Sequence, residues 1–448
     1  MHNVAIARSF SSRPALFRFA AASGLVLWIC LWLNLNTGFW NLQPSGSIQD
    51  RLLFIRAILP FIVLPVALLI LLSRRRLFLP LSAPSRLLFI YGSFSALAAV
   101  FSPVPMWSLY WAIAFLATIL AAWIVIDKND PVRSAQLLLR LTWIGSLVVA
   151  AIIAYQASGA IFGEHSTAYG AVYKETEGLS RSSGVARWAA VPGLVCLIRA
   201  YHTRRPLLIG IYIGIAAIAF YIVYRVQSRG AVFGAVAALL FALIISSRMR
   251  RYALPFALAA VAIILLLDSP ATISTKVTDY LERGQSRDEF LSMTGRTRAY
   301  YKGVAAFQDA PLLGYGQWAD REIIHEHVHN SYLSALLNSG IAGGIPYLLS
   351  WIAGWALFLK MQGRSAQLAP QDQLHILEVG TVMMFFTVRA VPETTTAEFG
   401  VDLLVMVAVY LYLETLAVAT NRIFLPHSAV APSPLYTSQE AARLRPIG

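Results

Sequence analysis

Three of the eight histidines in this 448-residue chain fall within five positions, at His325, His327 and His329. An unperturbed imidazole has a pKa of about 6.5, so a histidine can accept a proton from a hydroxyl group near neutral pH. His329 is followed by Asn330 and then by leucines at helical spacing, which places it where a helix begins. His329 would thus lie at a helix start at the membrane surface.

A metal site is the alternative interpretation of the same histidines. They alternate along the chain, so on an extended segment all three would face one side, and clustered imidazoles bind zinc. Glu326 would point the opposite way on that segment, and a zinc site would normally need a fixed fourth ligand or an open catalytic position. We therefore expect no metal or other cofactor, and we expect His325 and His327 to be polar surface residues near His329.

The elements that must position these residues are membrane spans. The chain is 58% hydrophobic and 13% charged, with a mean hydropathy of +0.63, whereas soluble domains are roughly 25% charged. Apolar stretches of about 20 residues, enough for a helix to cross a bilayer, recur along most of the chain. The sequence predicts an all-α, polytopic membrane protein with about 12 transmembrane helices and a large periplasmic loop domain. Cys30 and Cys196 lie inside predicted spans, which argues against disulfide or redox chemistry.

Twelve spans are predicted, with both termini in the cytoplasm. The opening segment has features of a signal peptide, but it lacks a small-residue cleavage site, so we expect it to be the first permanent span. Lysines and arginines concentrate in the connections after every second span, and such loops face the cytoplasm. The spans cover about residues 14–35, 52–72, 86–103, 107–126, 135–156, 185–201, 206–225, 230–247, 252–268, 333–359, 373–389 and 400–419.

Two connections on the opposite side are long, and we expect them in the periplasm. Loops longer than about 12–15 residues are usually functional or disordered. The predicted layout is nine spans in 1–268 with a short periplasmic loop at about 157–184, a large periplasmic loop with the catalytic motif in 269–332, three spans in 333–420 and a cytoplasmic tail in 421–448.

The large loop contains more basic residues than topology requires on the periplasmic side. They are Lys276, Arg283, Arg287, Arg296, Arg298, Lys302 and Arg321. An anionic ligand would explain this excess. Nucleic acid is not expected as a partner despite the net charge of +14, because most other cations lie in short loops between apolar runs and no nucleic-acid motif accompanies them.

The residues around His329 resemble a known signature. His329-Asn330, nine residues, and then Gly340-x-x-Gly343 match the His-[Asn/Ser/Gln]-x9-Gly-x-x-[Gly/Thr/Tyr] pattern of O-antigen ligases and related O-antigen polymerases. Further local matches follow the family's order, and they are Gln227-Ser228-Arg229-Gly230, Thr294-Gly295-Arg296 and Pro311-Leu312-Leu313-Gly314-Tyr315-Gly316. Each motif is short, but together with the twelve predicted spans they cover most of the chain.

The resemblance implies a metal-independent transfer of a glycan from an undecaprenyl-pyrophosphate donor. It implies that His329 is the base and that arginines, for which we choose Arg229 and Arg296, bind the pyrophosphate. Guanidinium groups suit this role because they stay charged and donate paired hydrogen bonds to phosphate oxygens. The alternatives are an interfacial anchor for Arg229 and a solvated loop charge for Arg296.

Weaker candidates for supporting roles surround these residues, and they are Asn330, Arg181, Arg187, His327 and Arg389. Arg181 and Arg187 flank the sixth predicted span, where anchoring at the membrane interface is the simpler account. Mutual pairing with Glu393 and Glu398 is the simpler account of Arg389, although ionisable residues near membrane depth are functional candidates by default.

The function that the resemblance implies first is ligation of undecaprenyl-pyrophosphate-linked O-antigen polysaccharide to lipid A-core oligosaccharide at the periplasmic face of a bacterial inner membrane. An O-antigen polymerase and a protein O-oligosaccharyltransferase are alternatives that use the same donor with another acceptor. A single main loop favours the ligase, and the loop at 157–184 weakens that preference. A transporter of lipid-linked sugars is the alternative from another class, but it would place polar groups near the bilayer midplane.

Overall fold

The computed structural model describes residues 15–33, 48–73, 83–127, 129–163, 182–246, 249–251 and 296–424, and also residues 272, 274, 275, 278, 280 and 282. Within these residues the regular elements are helices, and no strand occurs. The prediction of an all-α fold is therefore confirmed for the described part of the chain.

The described helices follow the predicted spans closely. They are α1 (Ala15–Leu33), α2 (Ile48–Ser73), α3 (Pro84–Ala98, followed by a 3-10 turn at Ala99–Phe101), α4 (Pro105–Val125), α5 (Pro131–Gln156), α6 (Ser158–Phe162), α7 (Ser182–His202), α8 (Pro206–Arg225), α9 (Arg229–Ile245), α10 (Arg296–Asp309), α11 (Asp320–Ile323), α12 (Ser331–Gly363), α13 (Pro370–Arg389) and α14 (Val401–Phe424). Eleven of the twelve predicted ranges coincide with one of these helices. The predicted span at 252–268 lies outside the described residues, as does the predicted tail beyond Phe424.

Among the described residues, six helical segments are long and apolar enough to cross a membrane. They are Pro84–Phe101, Pro105–Val125, Pro131–Gln156, Pro206–Arg225, Ser331–Gly363 and Val401–Asn421. Shorter apolar helical stretches occur in α1, α2 and α9, at Ala22–Trp32, Ile58–Ser73 and Arg229–Ile245. The described residues therefore indicate a membrane protein with several spans, and the total of twelve remains a prediction.

The helix α14 lies at the centre of the bundle, and α8 lies at its edge. The span in α14 is 89% buried, whereas the span in α8 is only 22% buried. Large apolar side chains such as Leu207 and Ile218 are therefore exposed on α8. Contact with water would cost free energy at each such side chain, whereas the hydrocarbon core of a bilayer accommodates them.

Polar contacts join helix ends at one end of the bundle. The Glu414 carboxylate, near the end of α14, accepts hydrogen bonds from the backbone N–H and the hydroxyl group of Ser85 at the start of α3, at 2.7 and 2.8 Å. Arg199, near the end of α7, pairs with Glu378 in the first half of α13 at 2.6 Å. In both pairs one helix ends where its partner begins, so the two helices run antiparallel. The starts of α7, α9, α12 and α14 therefore lie at the opposite end of the bundle.

The helix α12 contains a break at Gly340, where φ is 58°. Glycine adopts this left-handed conformation without a steric penalty. A Cβ atom at this position would collide with the backbone of Leu312. The backbone N–H groups of Ile341 and Ala342 donate hydrogen bonds to the carbonyls of Pro311 and Leu312, at 2.8 and 3.1 Å. The segment around Pro311 and Leu312, which precedes His329 in the sequence, therefore packs against the break.

The segment Pro311–Gly316 completes this contact on the other side of the break. The Tyr315 N–H donates to the carbonyl of Leu337 at 2.7 Å, and Gly314 adopts a φ of 67° directly beside it. A Cβ atom at Gly314 would collide with the same Leu337 carbonyl. Two motifs that are separate in the sequence therefore form one structural unit, and each needs glycine for the close approach of two backbones.

Candidate functional site

His329 lies directly before α12 and adopts a left-handed backbone conformation, with φ of 52°. Asn330 caps the helix, because its Oδ1 accepts a hydrogen bond from the Leu333 N–H at 2.9 Å. The Nδ2 of Asn330 also donates to the carbonyl of Val391 at 2.9 Å, which ties the cap to the segment after α13. Positive φ is uncommon outside glycine and is maintained only by surrounding contacts, so these bonds hold the His329 turn in place.

Glu393 is the carboxylate next to His329. Its Oε2 lies 3.6 Å from the His329 Nδ1, slightly beyond hydrogen-bond distance. Its Oε1 accepts a hydrogen bond from the Arg296 guanidinium at 2.8 Å, and Arg296 also donates to the carbonyl of Pro392. One carboxylate therefore connects the predicted base to one of the predicted phosphate ligands. Sequence reasoning missed this role, although an acidic residue shortly after the end of a span was visible.

Arg229 begins α9 beside the same segment. A Cβ atom added to the following residue, Gly230, would lie 3.6 Å from the Pro392 Cγ and 3.7 Å from the Glu393 Cγ. Arg229 itself donates a hydrogen bond to the backbone carbonyl of Glu282 at 3.3 Å. The structure thus brings His329 and Arg296 together at Glu393 and places the start of α9, where Arg229 lies, beside the same segment, although these residues come from three distant parts of the sequence.

Arg389 ends α13 and is fully buried. The charges of Asp402, Glu393, Arg187 and Arg296 all act on it. Arg187 forms an ion pair with Asp402 at 2.9 Å. None of the three guanidinium nitrogens of Arg389 has a hydrogen-bond partner among the described residues. The expectation that Arg389 pairs with Glu393 and Glu398 is therefore wrong, because Glu393 pairs with Arg296 instead. Arg181 lies outside the described residues.

His327 belongs to a second histidine–carboxylate pair. Its Nδ1 lies 2.8 Å from the Oδ2 of Asp320, which also accepts a hydrogen bond from the Val328 N–H. Burial opposes ionisation of Asp320, but the charge of Arg321 and the bond to His327 hold the pKa of this carboxyl well below its usual range. The rings of His327 and His329 meet edge to face, with centroids 4.5 Å apart. His327 thus lies near His329, as expected, but it is a half-buried member of a paired network instead of a surface residue.

A candidate metal site among the described residues combines Asp320, His327 and Glu398, whose ligand atoms lie within 4.8 Å of one another. The Arg321 guanidinium already lies between the two carboxylates, 3.0 Å from Asp320 and 3.6 Å from Glu398. A positive charge in that position repels a divalent cation. Of the three histidines that suggested zinc, His327 alone belongs to this described cluster, so the geometry gives no support to a zinc site built from all three.

The protonation of His329 follows from its surroundings. Burial lowers the pKa of its imidazole below the ordinary value of 6.5, and the Glu393 carboxylate partly opposes this by raising the pKa. His329 is therefore neutral at pH 7, as a general base must be. Burial would raise the pKa of Glu393, but His329 and the charges of Arg296 and Arg389 hold it well below its usual range. The site thus places an ionised carboxylate beside a neutral imidazole.

Substitution of Glu393 by glutamine tests this coupling. The variant removes the charge that raises the pKa of His329, so that pKa is expected to fall further. A general base gains activity as pH rises through its pKa, so the acid limb of the rate–pH profile should move to lower pH. The plateau rate should fall, because the positive charge that forms on the imidazole loses its stabilising partner.

The measurement is the rate of glycan transfer between about pH 5 and pH 8, where imidazoles titrate. Glu326→Gln is the matched control, because Glu326 pairs with Lys302 at 2.7 Å and does not contact His329. An acid limb that stays in place in Glu393→Gln would show that this carboxylate does not act on the base.

A comparison with known protein families finds a match that covers this site. Residues 213–348 match the family model described as O-antigen ligase. The matched segment runs from within α8 to within α12 and contains Arg229, Arg296 and His329. A comparison with curated proteins found no match for the chain.

Proposed function

We propose that this chain, which carries an O-antigen ligase family domain at residues 213–348, transfers a glycan from a lipid-linked pyrophosphate donor to an acceptor hydroxyl group. The observation that carries the proposal is the meeting of the His329 imidazole and the Arg296 guanidinium at Glu393, with the start of α9, where Arg229 lies, beside the same segment. A base, a carboxylate partner and cations for a leaving diphosphate are the groups that such a reaction needs.

His329 acts as the general base in this reaction. Its Nδ1 faces Glu393, so the Nε2 is the nitrogen available to an acceptor hydroxyl group. As the acceptor oxygen bonds to the anomeric carbon, its proton passes to the imidazole, and Glu393 stabilises the resulting imidazolium. The bond between the anomeric carbon and the pyrophosphate oxygen breaks on the opposite side, so the reaction inverts the anomeric carbon.

Arg296 and Arg229 bind the pyrophosphate, which leaves with its bonding electron pair. Its negative charge grows during the reaction, so fixed cations stabilise the transition state more than the ground state. A pyrophosphate is already a good leaving group and needs no proton from an acid. When no substrate is bound, Arg296 pairs with Glu393. The phosphate of the glycan donor competes with this carboxylate for Arg296, and Glu393 is then free to interact with His329 alone.

The charges at the other end of the bundle support a periplasmic site. That end carries Arg133, Arg199, Arg204, Arg205, Arg250, Arg251, Lys360 and Arg364. Basic connections face the cytoplasm, so both chain termini lie there and the His329 end faces the periplasm of a bacterial inner membrane. The proposed layout keeps nine spans in 1–268, the large periplasmic loop in 269–332, three spans in 333–420 and a cytoplasmic tail in 421–448.

The acceptor that we propose is lipid A-core oligosaccharide, and the donor is undecaprenyl-pyrophosphate-linked O-antigen polysaccharide. Both substrates keep lipid tails in the bilayer while their sugars meet above it, as a site at the start of a membrane-entering helix requires. An O-antigen polymerase and a protein O-oligosaccharyltransferase would use the same donor chemistry. A transporter of lipid-linked sugars has no need for a base beside a carboxylate.

The test is a reaction with purified protein and undecaprenyl-pyrophosphate-linked glycan. Parallel reactions receive lipid A-core, a second lipid-linked glycan or an acceptor protein, and products are separated by gel electrophoresis and mass spectrometry. We expect a lipid A-core product, with release of undecaprenyl pyrophosphate, and the same rate with a chelator present. Product with another acceptor alone would assign the chain to that alternative, and a lack of product with all three would contradict glycan transfer.

A further inference from the structure

The Arg389 side chain is a buried cation without a hydrogen-bonding partner. It is 0% exposed, and its Nε and both terminal nitrogens make no hydrogen bond among the described residues. Buried arginines are nearly always paired, because an uncompensated charge away from water costs on the order of several kcal/mol of folding free energy. An anionic ligand would compensate this charge in the ligand-bound protein, which explains why the arginine is kept.

The surrounding charges do not remove the need for an anion. Each nearby carboxylate already holds another arginine, since Asp402 pairs with Arg187 at 2.9 Å and Glu393 pairs with Arg296 at 2.8 Å. These two pairs are neutral together, so Arg389 leaves the group with one excess positive charge. Arg229, at the start of α9, adds a further positive charge beside the same segment.

The packing places Arg389 directly beneath the Glu393 segment. The N–H of Glu393 donates to the carbonyl of Arg389 at 2.9 Å, so the two residues share one turn of backbone. Room for the long side chain comes from Gly234 in α9, where an added Cβ atom would lie 3.1 Å from the Arg389 Cγ. Arg296 bonds to the Pro392 carbonyl and the Glu393 carboxylate, so a phosphate bound by Arg296 would lie close to the turn of backbone that begins at Arg389.

We propose that Arg389 is a further pyrophosphate-binding residue, which receives the diphosphate of the donor as that group departs. This inference rests on the proposed function and adds a third guanidinium group to Arg229 and Arg296. The competing account is that Arg389 serves only as a structural counter-ion for Asp402 and Glu393. The two accounts differ in what they predict for stability.

The test replaces Arg389 by methionine and measures two quantities in detergent solution, the affinity for undecaprenyl pyrophosphate and the melting temperature. A charge-assisted hydrogen bond to phosphate predicts affinity about 10- to 100-fold weaker than in the wild type. The melting temperature should stay the same or rise, because an unpaired buried charge is replaced by an apolar side chain of similar length. A structural counter-ion would instead give a lower melting temperature with unchanged affinity, and that result overturns the proposal.

Two further measurements keep the outcome decisive. Arg364→Met is the control, because Arg364 lies at the opposite end of the bundle and donates to Asn421 at 3.0 Å, so its affinity should equal that of the wild type. If the methionine variant fails to fold, Arg389→Lys decides: weaker affinity at wild-type stability supports the proposal, and wild-type affinity overturns it. Wild-type protein that does not bind undecaprenyl pyrophosphate would overturn the proposed function as well, whereas normal binding by both Arg389 variants overturns this inference alone.

Discussion

His329→Ala is expected to lower the rate of glycan transfer by about 10²- to 10⁴-fold, the usual contribution of a general base. The reason is that no other described side chain beside Glu393 can accept the proton of the acceptor hydroxyl group at neutral pH. Donor binding should change little, because the phosphate ligands are the arginines. The measurement is the initial rate with saturating donor, together with the affinity for undecaprenyl pyrophosphate.

The matched control is His325→Ala. His325 is exposed and lies four residues before His329, so its loss should leave the rate within a factor of about two, as is usual for surface substitutions away from the site. A His329→Ala protein that still ligates glycan at the wild-type rate would leave the base without support and would favour a structural histidine or a transport function.

Arg296→Met is expected to lower kcat/KM by about 10- to 100-fold, the loss that follows from removal of a charge-assisted hydrogen bond to a phosphate oxygen. Most of the loss should lie in kcat, because the charge on the leaving pyrophosphate is greater in the transition state than in the bound donor. Arg296→Lys should recover part of the rate, since it keeps the charge but loses the planar pair of donors.

Arg298→Met provides the comparison for this substitution. Arg298 lies two residues after Arg296 in α10, but its side chain is exposed. A solvated loop charge, which was the alternative account of Arg296, would make the two variants behave alike. Equal rates for Arg296→Met and Arg298→Met would therefore remove Arg296 from the site.

The helices, and the position of His329 just before one of them, could be predicted from local sequence, because both depend on neighbouring residues. Apolar runs of sufficient length predict helices wherever the solvent is a bilayer, and the start of α12 followed from Asn330 and the leucine spacing after it. The glycines at positions 314 and 340 could be recognised as part of a pattern. Their physical role, the close contact of two backbones, required the fold.

The arrangement around Glu393 could not be predicted, because it depends on contacts between residues far apart in the chain. Nothing local to Arg229 or Arg296 indicates that α9 and α10 both meet the segment after α13. The same limit explains the error over Arg389. Its neighbours in sequence include two glutamates, but the fold gives one of them, Glu393, to Arg296 and the other, Glu398, to Arg321.

The break at Gly340 has a mechanical consequence for catalysis. Because the Pro311–Gly316 segment is bonded into the break on both sides, this segment and the first turns of α12 form one rigid piece. The height of the imidazole above the apolar part of α12 is therefore fixed by the backbone itself. In the proposed reaction an acceptor must bring its hydroxyl group to this level, so the protein would select acceptors by how far a lipid-anchored sugar extends from the bilayer.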